Sequence, residues 1–363
     1  MKHFGNFVAL LILAVNALFT GLLLLVAYSP YIQPTSHPVQ SCFGLAFPVF
    51  ALINGGFLIF WLVIQRYKTA LLPLVGFLLC YSQLRTYLPL NFHTSNLPEK
   101  SIKFLSYNIM GFDGANKRNG KNPILTYLKE SNADILCLQE YASDESHRHL
   151  TQKDIERELK DYPYHRINVV GSGGSGYSNK IACYSKFPIL SARVLNYTSN
   201  YNGSVLYELK LDEDTITLIN NHLESNKLTK TDKDIYEDML KAPEKEKVKS
   251  GARLLVRKLA EASAIRAPQA DTIAKEIASS RHPSIIVCGD FNDTPISYTH
   301  RVIAQNLNDA FTQSGRGLGV SYNQNKFYFR IDNILISKNL QSYNCTVDQS
   351  IKESDHYPIW CYI

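Results

Sequence analysis

Beyond position 100, six apolar runs of this chain each deliver a carboxylate, a carboxamide or an imidazole at or near one end. Asn108 follows FLSY, Glu140 follows ILCLQ and His222 follows LINN. Asp290 and Asn292 follow IIVCG, Asp332 lies within RIDNILIS, and Asp355–His356 immediately precede PIWCYI. Taken singly, each has an ordinary structural explanation. Asn108 and the DFNDTP segment suit turns, Glu140 suits a solvated strand end, and both histidines suit hydrogen-bonded core positions. Six such runs together are not explained by packing.

Phosphoester hydrolysis is the chemistry that this set of groups fits. A hard divalent cation takes oxygen ligands, commonly one or two carboxylates with water and substrate phosphate, and Glu140 and Asn108 can supply them. The cation offsets phosphoryl charge and eases departure of the leaving oxygen. Asp290, with Asn292 alongside, suits the positioning and partial deprotonation of an attacking water. His222 and His356 can contact the phosphate, and Asp332 is placed in sequence to orient His356.

The elements that must present these residues are short and apolar. Strands are expected at 102–107, 135–140, 181–185, 205–211, 215–221, 284–289, 330–337 and 358–363. Some alternate apolar and polar residues and others are apolar throughout, as in sheets buried on one or both faces. Helices are expected near 123–131 and 153–160. A longer one runs from Glu246 to about Ser280, with Leu254, Leu255, Leu259, Ile273 and Ile277 as its apolar stripe. Many strands with a few interposed helices predict two packed sheets flanked by helices.

The strings LSYNIMGF, ILCLQEY, NNHLES, VCGDFNDTP, RIDNILIS and SDHYPIW, in that order, resemble the endonuclease/exonuclease/phosphatase superfamily with its DNase I-like fold. The resemblance spans roughly 101–363, and GDFN followed far downstream by SDHYP is its most specific pair. It implies a four-layer α-β-β-α sandwich and a phosphohydrolase using Mg²⁺ or Mn²⁺. Glu140 resembles the metal-binding glutamate, Asn108 its neighbour, and Asp355 a group near the metal. Asp290 and Asn292 resemble the water-positioning pair. His222 and His356 resemble the two phosphate-contacting histidines, with Asp332 supporting His356. Apurinic-site endonucleases carry an Asp two residues after the first Asn, where this chain has Met110, and NNHLES is closer to the nuclease, sphingomyelinase and phosphatase branches. The substrate implied is thus a nucleic acid, a phospholipid or a small phosphoester.

The first 90 residues are of another kind. They carry only Lys2, Arg66, Lys68 and Arg85 as charges, leaving 34 of the 38 basic residues against all 32 acidic ones downstream. Residues 4–28 and 42–64 are each long enough to span a bilayer, and neither has a polar face. A third stretch, 70–90, is interrupted by Arg85 and two prolines. The expected organisation is a membrane anchor of two or three transmembrane helices over 1–90, a linker over 91–100 and the catalytic domain over 101–363. The positive-inside rule places the N-terminus and the 65–69 loop in the cytoplasm. Three spans, the preferred reading, then set the catalytic domain on the periplasmic or extracellular side of a cell (inner) membrane, and two would set it in the cytoplasm. No intramembrane acid or histidine pair marks a transport path.

Other signals are weaker. The seven cysteines form no CxxC or Cys/His pattern and read as buried thiols. The sequence pI of 8.8 owes much to the N-terminal charges, so it is no sign of nucleic-acid binding. GSGGSGYS (171–178) lacks the Lys-Ser/Thr of a phosphate-cradling loop. Arg266, Arg316 and Arg330 are candidates for phosphate contact. The charged helical segment 227–281 is either a substrate lid or a solvated helix on the outside of the sandwich. The competing functional class is a catalytically inactive member serving as a membrane-bound scaffold. Every acid, base and metal-type residue is present, which argues against it, and no protein partner is evident.

Overall fold

The computed structural model describes residues 2–112, 122–143, 150–171, 179–241, 244–324 and 327–363. Chain order gives β1 Lys103–Asn108, β2 Ile135–Gln139, β3 Tyr164–Val170, β4 Asn179–Ser185, β5 Ile189–Val194, β6 Gly203–Leu211 and β7 Asp214–His222. There follow β8 Ile285–Asp290, β9 Leu307–Asp309, β10 Tyr322–Gln324, β11 Phe327–Phe329, β12 Asp332–Ser337, β13 Tyr343–Val347 and β14 Ile359–Tyr362. One six-stranded sheet has the order β13-β14-β1-β2-β4-β3, and the other β5-β6-β7-β8-β12-β9. A separate hairpin pairs β10 with β11.

Side chains alternate across a strand, so one parity of each central strand faces the opposite sheet. Phe104, Cys137, Leu218, Ile286, Cys288 and Ile334 meet between the sheets. The other parity packs outward. Leu105, Leu136 and Leu138 lie beneath helices Pro123–Glu130 and Gln152–Glu158, through Ile124, Leu128 and Ile155. Ile219, Val287 and Leu335 lie beneath the C-terminal half of helix Lys245–Ala278 and helix Tyr298–Ile303, through Ala270, Ile273 and Val302. The result is the four-layer α-β-β-α sandwich. Each fully buried Leu, Ile or Phe contributes roughly 1.5–3 kcal/mol of transfer free energy to it.

The eight expected strands are all present, with ends shifted by up to two residues. The expectation omitted six strands, the short β9, β10, β11 and β13 and the longer β3 and β5, which lie at sheet edges with mostly exposed or half-buried positions. Such strands lack the apolar run that marks a central one. All seven cysteines are free thiols, and Cys42 alone among them is not buried.

Two N-terminal segments, Gly5–Tyr31 and Pro38–Val63, are long and apolar enough to cross a membrane, and only 17% of each one's most apolar window is buried. Leu10, Leu18, Leu52 and Ile59 instead face outward. Between the helices runs a polar ladder. Trp61 Nε1 donates to Asn16 Oδ1 at 3.0 Å, and Thr20 Oγ1 to Asn54 Oδ1 at 2.8 Å. Side-chain hydrogen bonds of this kind hold apolar helices in register where burial offers little discrimination. A third apolar helix, Tyr67–Leu79, is shorter and breaks at Cys80 before Tyr81–Tyr87.

Arg66 Nη2 donates to Asn6 Oδ1 at 3.0 Å, so the N-terminus and the 64–66 turn share one end of this helical unit. The sandwich docks at the other end. Ile296 packs among Leu23, Val26, Ala27 and Phe47. Arg301 donates to Pro30 O at 2.8 Å and stacks on Tyr31. Gly44 lies so close that a Cβ there would fall 2.0 Å from Ile296 O. Residues 91–94 also run along the sandwich, with Asn91 Nδ2 on Gly315 O and Thr94 N on Asn344 Oδ1, both at 2.8 Å.

Arg330 anchors the same junction. Its Nη2 donates to Thr86 O at 2.8 Å, and its Nη1 to both Asp309 carboxylate oxygens, at 3.2 and 2.9 Å. Burial alone would raise the Asp309 carboxyl. The Arg330 guanidinium, His300 and the Thr312 amide reverse this and hold it well below the usual carboxylate range. A depressed folded-state value stabilises the protein above the ordinary carboxylate pKa of about 4, and the contribution is lost as pH falls through the folded value. Asp309→Asn should cost roughly 3–5 kcal/mol at neutral pH by leaving Arg330 unpaired. It should also flatten the acid limb of thermal stability measured against pH in detergent. An acid limb identical to that of the unaltered chain would contradict this assignment.

Candidate active site

The inter-sheet faces change character along the strands. On β1 the inward residues run Phe104, Ser106, Asn108, and on β2 Ile135, Cys137, Gln139. On β7 they run Leu218, Asn220, His222, on β8 Ile286, Cys288, Asp290, and on β12 Ile336, Ile334, Asp332. Apolar residues thus give way to polar ones at the same end of both sheets. A polar floor separates core from site, with Gln139 Nε2 donating to Asn220 Oδ1 across the sheets at 2.6 Å and to Ser106 Oγ at 3.1 Å.

Asp290 is the centre. Register places it opposite His222 on β7 and opposite Asp332 on β12. Its Oδ1 accepts the Asn292 amide at 2.7 Å. Its Oδ2 accepts Nδ2 of Asn292 at 3.1 Å and Nδ2 of Asn108 at 3.2 Å. The Nε2 atoms of His356 and His222 lie 3.6 and 3.7 Å from the same oxygen. Burial, with Asp332 nearby, lifts the Asp290 carboxyl to about 6 against the opposing pull of the histidines. His356 shows the complementary effect. Burial lowers its imidazole, but Asp332, bonded to Nδ1 at 2.8 Å, and Asp290 outweigh that and raise it to about 10.

His222 is held differently. Asn179 Nδ2 lies 3.1 Å from its Nδ1 and also donates to Tyr201 O at 2.9 Å, which fixes the amide orientation. Nδ1 is therefore the acceptor, and the ring proton sits on Nε2, facing Glu140 Oε1 at 3.5 Å. Glu140 itself adopts a left-handed backbone (φ 50°), pinned by Gly111 N on its carbonyl at 2.8 Å. Non-glycine residues in that region concentrate at functional sites. Asn292 shares the conformation (φ 52°), which turns the chain abruptly after β8.

Glu140, His222, Asp290, Asn292, Asp355 and His356 line one cavity of about 490 Å³. Asn108 reaches it through its hydrogen bonds to Glu140 and Asp290. Arg266 also lines it, with Nη1 held by Glu224 O and Asn226 Oδ1 at 2.8 and 2.9 Å. Arg330 is turned to Asp309 and Thr86, and Arg316 stacks on Phe92 beside a separate hollow. The structure does not bring these two arginines to the cluster. Of the glycine-rich 171–178 stretch, only Gly171 falls among the described residues.

Four groups were not singled out from sequence. Asn179 fixes His222, as described above. Ser354 Oγ donates to Asn108 O at 2.8 Å and ties the SDH segment to β1. Tyr322 sets its ring edge-on to His356, with centroids 5.1 Å apart, and its hydroxyl accepts from Lys233 Nζ at 2.6 Å. Burial, with the Asp355, Asp290 and Glu140 carboxylates, pushes the Tyr322 phenol up, so it stays protonated. Tyr322 stands in no strand-end motif, and Lys233 lies in the charged helical segment 227–281 without a mark of its own.

The donor set suits a hard divalent cation. Carboxylates of Glu140, Asp290 and Asp355 line the cavity, and behind Asp290 the buried Asp332 Oδ1 has no hydrogen-bond partner among the described residues. Donor atoms of Asp290, Asp332 and His356 lie within 4.8 Å of one another. However, an imidazole raised to about 10 carries its proton at neutral pH and already offsets those two aspartates. Glu140 and Asp355 are then the better-suited ligands. Asn108 turns its NH₂ to Glu140 and Asp290 while its Oδ1 takes the Met110 amide, so it bridges the two carboxylates as a donor.

The fold has solved counterparts. D. rerio TDP2 complexed with single strand DNA product aligns at 16% identity over 73% of this chain and 99% of that one, with TM-score 0.50. The human Nocturnin catalytic domain with bound sulfate anion aligns at 16% identity over 75% and 95%, also with TM-score 0.50. No curated protein sequence matches the chain. Residues 9–87 match a model described only as a domain of unknown function (DUF8431). Residues 105–356, a span that takes in every strand-end group of the cavity, match the model of the Endonuclease/Exonuclease/phosphatase family, and the chain belongs to that family.

Proposed function

We propose that this chain is a membrane-attached, divalent-metal-dependent hydrolase of phosphoester bonds. The observation that carries the reading is the setting of Asp290, a buried carboxylate lifted to about 6 and flanked by two histidine Nε2 atoms. A base in this range accepts a proton from water near neutral pH without being fully protonated beforehand. Asn292 and Asn108 donate to its oxygens and hold one orientation toward the cavity. His356, charged through Asp332, supplies a proton on Nε2 to a phosphoryl or leaving oxygen. His222, with its proton on Nε2, is a second donor on the β7 side. Bound at Glu140 and Asp355, Mg²⁺ or Mn²⁺ would supply charge neutralisation at the phosphate.

The helical unit supports membrane attachment, because its outward face is apolar where a soluble core helix would be covered. Lys2, Arg66 and Lys68 belong to the end remote from the sandwich, near the Asn6–Arg66 contact. The positive-inside rule assigns that end to the cytoplasm, and hence the sandwich to the periplasmic or extracellular face. A reporter fused to the C-terminus should report that face, and a cytoplasmic signal would refute the assignment.

Purified full-length chain with Mg²⁺ should hydrolyse a generic phosphodiester, and chelation should abolish turnover until the metal is restored. Asp290→Ala should lower kcat by about 10²–10⁴-fold. No turnover on diester, DNA or phospholipid, together with no effect of Asp290→Ala on any residual rate, would leave a scaffold role instead. Asp332→Asn should move the alkaline limb of the pH–rate profile downward. The unaltered His356 keeps its proton up to about 10, and loss of the Asp332 charge returns it toward the ordinary value of about 6.5. An unmoved alkaline limb would remove His356 from the proton-transfer role.

A further inference from the structure

The cavity that holds the reacting groups is much larger than a phosphate, and most of its wall is hydrocarbon. From Glu140, Asp290 and His356 it extends between helix Lys230–Lys241, the N-terminal half of helix Lys245–Ala278 and the β10–β11 hairpin. Leu228, Met239, Leu255, Leu259 and Phe327 line this part. Its far wall comes from the helical unit, where Ser41, Cys42 and Leu45 lie at the start of the second long apolar segment, Pro38–Val63. The covering helix is fixed in place. Gly251 lets it approach so closely that a Cβ there would lie 2.6 Å from Met239 Sδ and 2.8 Å from Ile235 Cγ2. Tyr236 stacks on Phe327 at 4.1 Å, and Lys233 bonds Tyr322 beside His356.

We propose that the phosphoester acted on here is a membrane lipid, with its phosphate among the cavity's histidines and carboxylates. One hydrocarbon chain occupies the space from Leu228 to Leu259, reaching it past Leu45 from the bilayer. This rests on the hydrolase reading above and names its substrate class. A water-soluble phosphoester has nothing to offer an aliphatic wall of this extent, whereas an alkyl chain gains free energy from each methylene it buries there. A volume of about 490 Å³ falls within the range of small-molecule sites. Nucleic acid fits the wall less well. The rings best placed to sandwich a base stack on each other, and nearby basic groups are already engaged: Lys227 with Glu224 at 2.6 Å, Lys258 with Asp232 at 2.5 Å, Arg266 with Asp293 at 3.5 Å. A strand-tracking site needs free cations and free ring faces. Leu45, within the first turns of the apolar segment Pro38–Val63, borders the cavity, so a chain entering past it comes from the bilayer.

The test uses the full chain reconstituted in phospholipid nanodiscs with Mg²⁺, and a series of phosphodiesters identical except for alkyl length. We expect kcat/KM to rise roughly fourfold per added methylene until the cavity is filled, then to level. The bilayer phospholipid should also be hydrolysed. Val256, half-exposed on the cavity wall, tolerates a polar side chain, so Val256→Glu should fold and should flatten the chain-length dependence. Turnover without chain-length dependence, or faster turnover of single-stranded DNA than of every lipid, would overturn the lipid assignment and leave the hydrolase reading standing. Absence of turnover on every ester would overturn both.

Discussion

Strand β8 pairs in parallel with β7 and antiparallel with β12, and that double register sets every distance in the site. It puts His222, Asp290 and Asp332 in one row across a sheet, all on the inward parity. A slip of one residue on β8 would send Asp290 to the outer face, under the 245–278 helix, and bring Gly289 inward. Register is fixed by what lies behind the row. Ile286 and Cys288 on the same parity are core residues between the sheets, while Ile285 and Val287 fill the outer layer. Gly289 adds a further constraint, since with φ 119° a Cβ there would fall 2.0 Å from Asn221 O. The packing that stabilises the sandwich is therefore also what aims the carboxylate.

Electrostatics completes what register begins. A carboxylate buried as deeply as Asp290 would be costly alone, and the chain surrounds it with two imidazoles and amide donors. The adjacent Asp332 opposes it and at the same time charges His356, so acid and base character separate between neighbours 3.6 Å apart. Paired groups whose environments push their proton affinities in useful directions are the hallmark of an acid–base site. The Arg330–Asp309 pair is chemically similar yet differently used. Asp309 is fully occupied by an arginine, a histidine and helix amides, and it serves the junction with the helical unit.

The sequence disclosed the site better than its surroundings, for a physical reason. Strand-end residues such as Asp290 and His356 stand out because they border apolar runs, IIVCG before the first and PIWCYI after the second, and the same runs define the sheets. Edge strands β3 and β5 carry no such run and were not anticipated. Asn179, Tyr322 and Lys233 were also missed, since their importance arises from contacts across the fold with partners 43, 34 and 89 residues away. Arg330 and Arg316 show the converse. Arg330 directly precedes a site motif and Arg316 stands among glycines, but the first faces Asp309 and Thr86 and the second stacks on Phe92.

The 227–281 segment, legible from sequence as charged and helical with one apolar stripe, packs differently along its length. Its C-terminal half is an outer layer, with Ala267, Ala270, Ile273 and Ile277 packed on the sheet. Its N-terminal half and the preceding helix overhang the cavity and present leucine and methionine to it. One helix of 34 residues thereby links the sheet that carries Asp290 to the covering wall. The same helix meets the apolar unit through Ser263, whose hydroxyl lies 3.4 Å from that of Ser41. Sheet, cavity wall and N-terminal unit thus all touch one helix, which carries Pro268 between its cavity-facing half and its sheet-packed half, while Asp290 is placed by the pairing of β8 with β7 and β12.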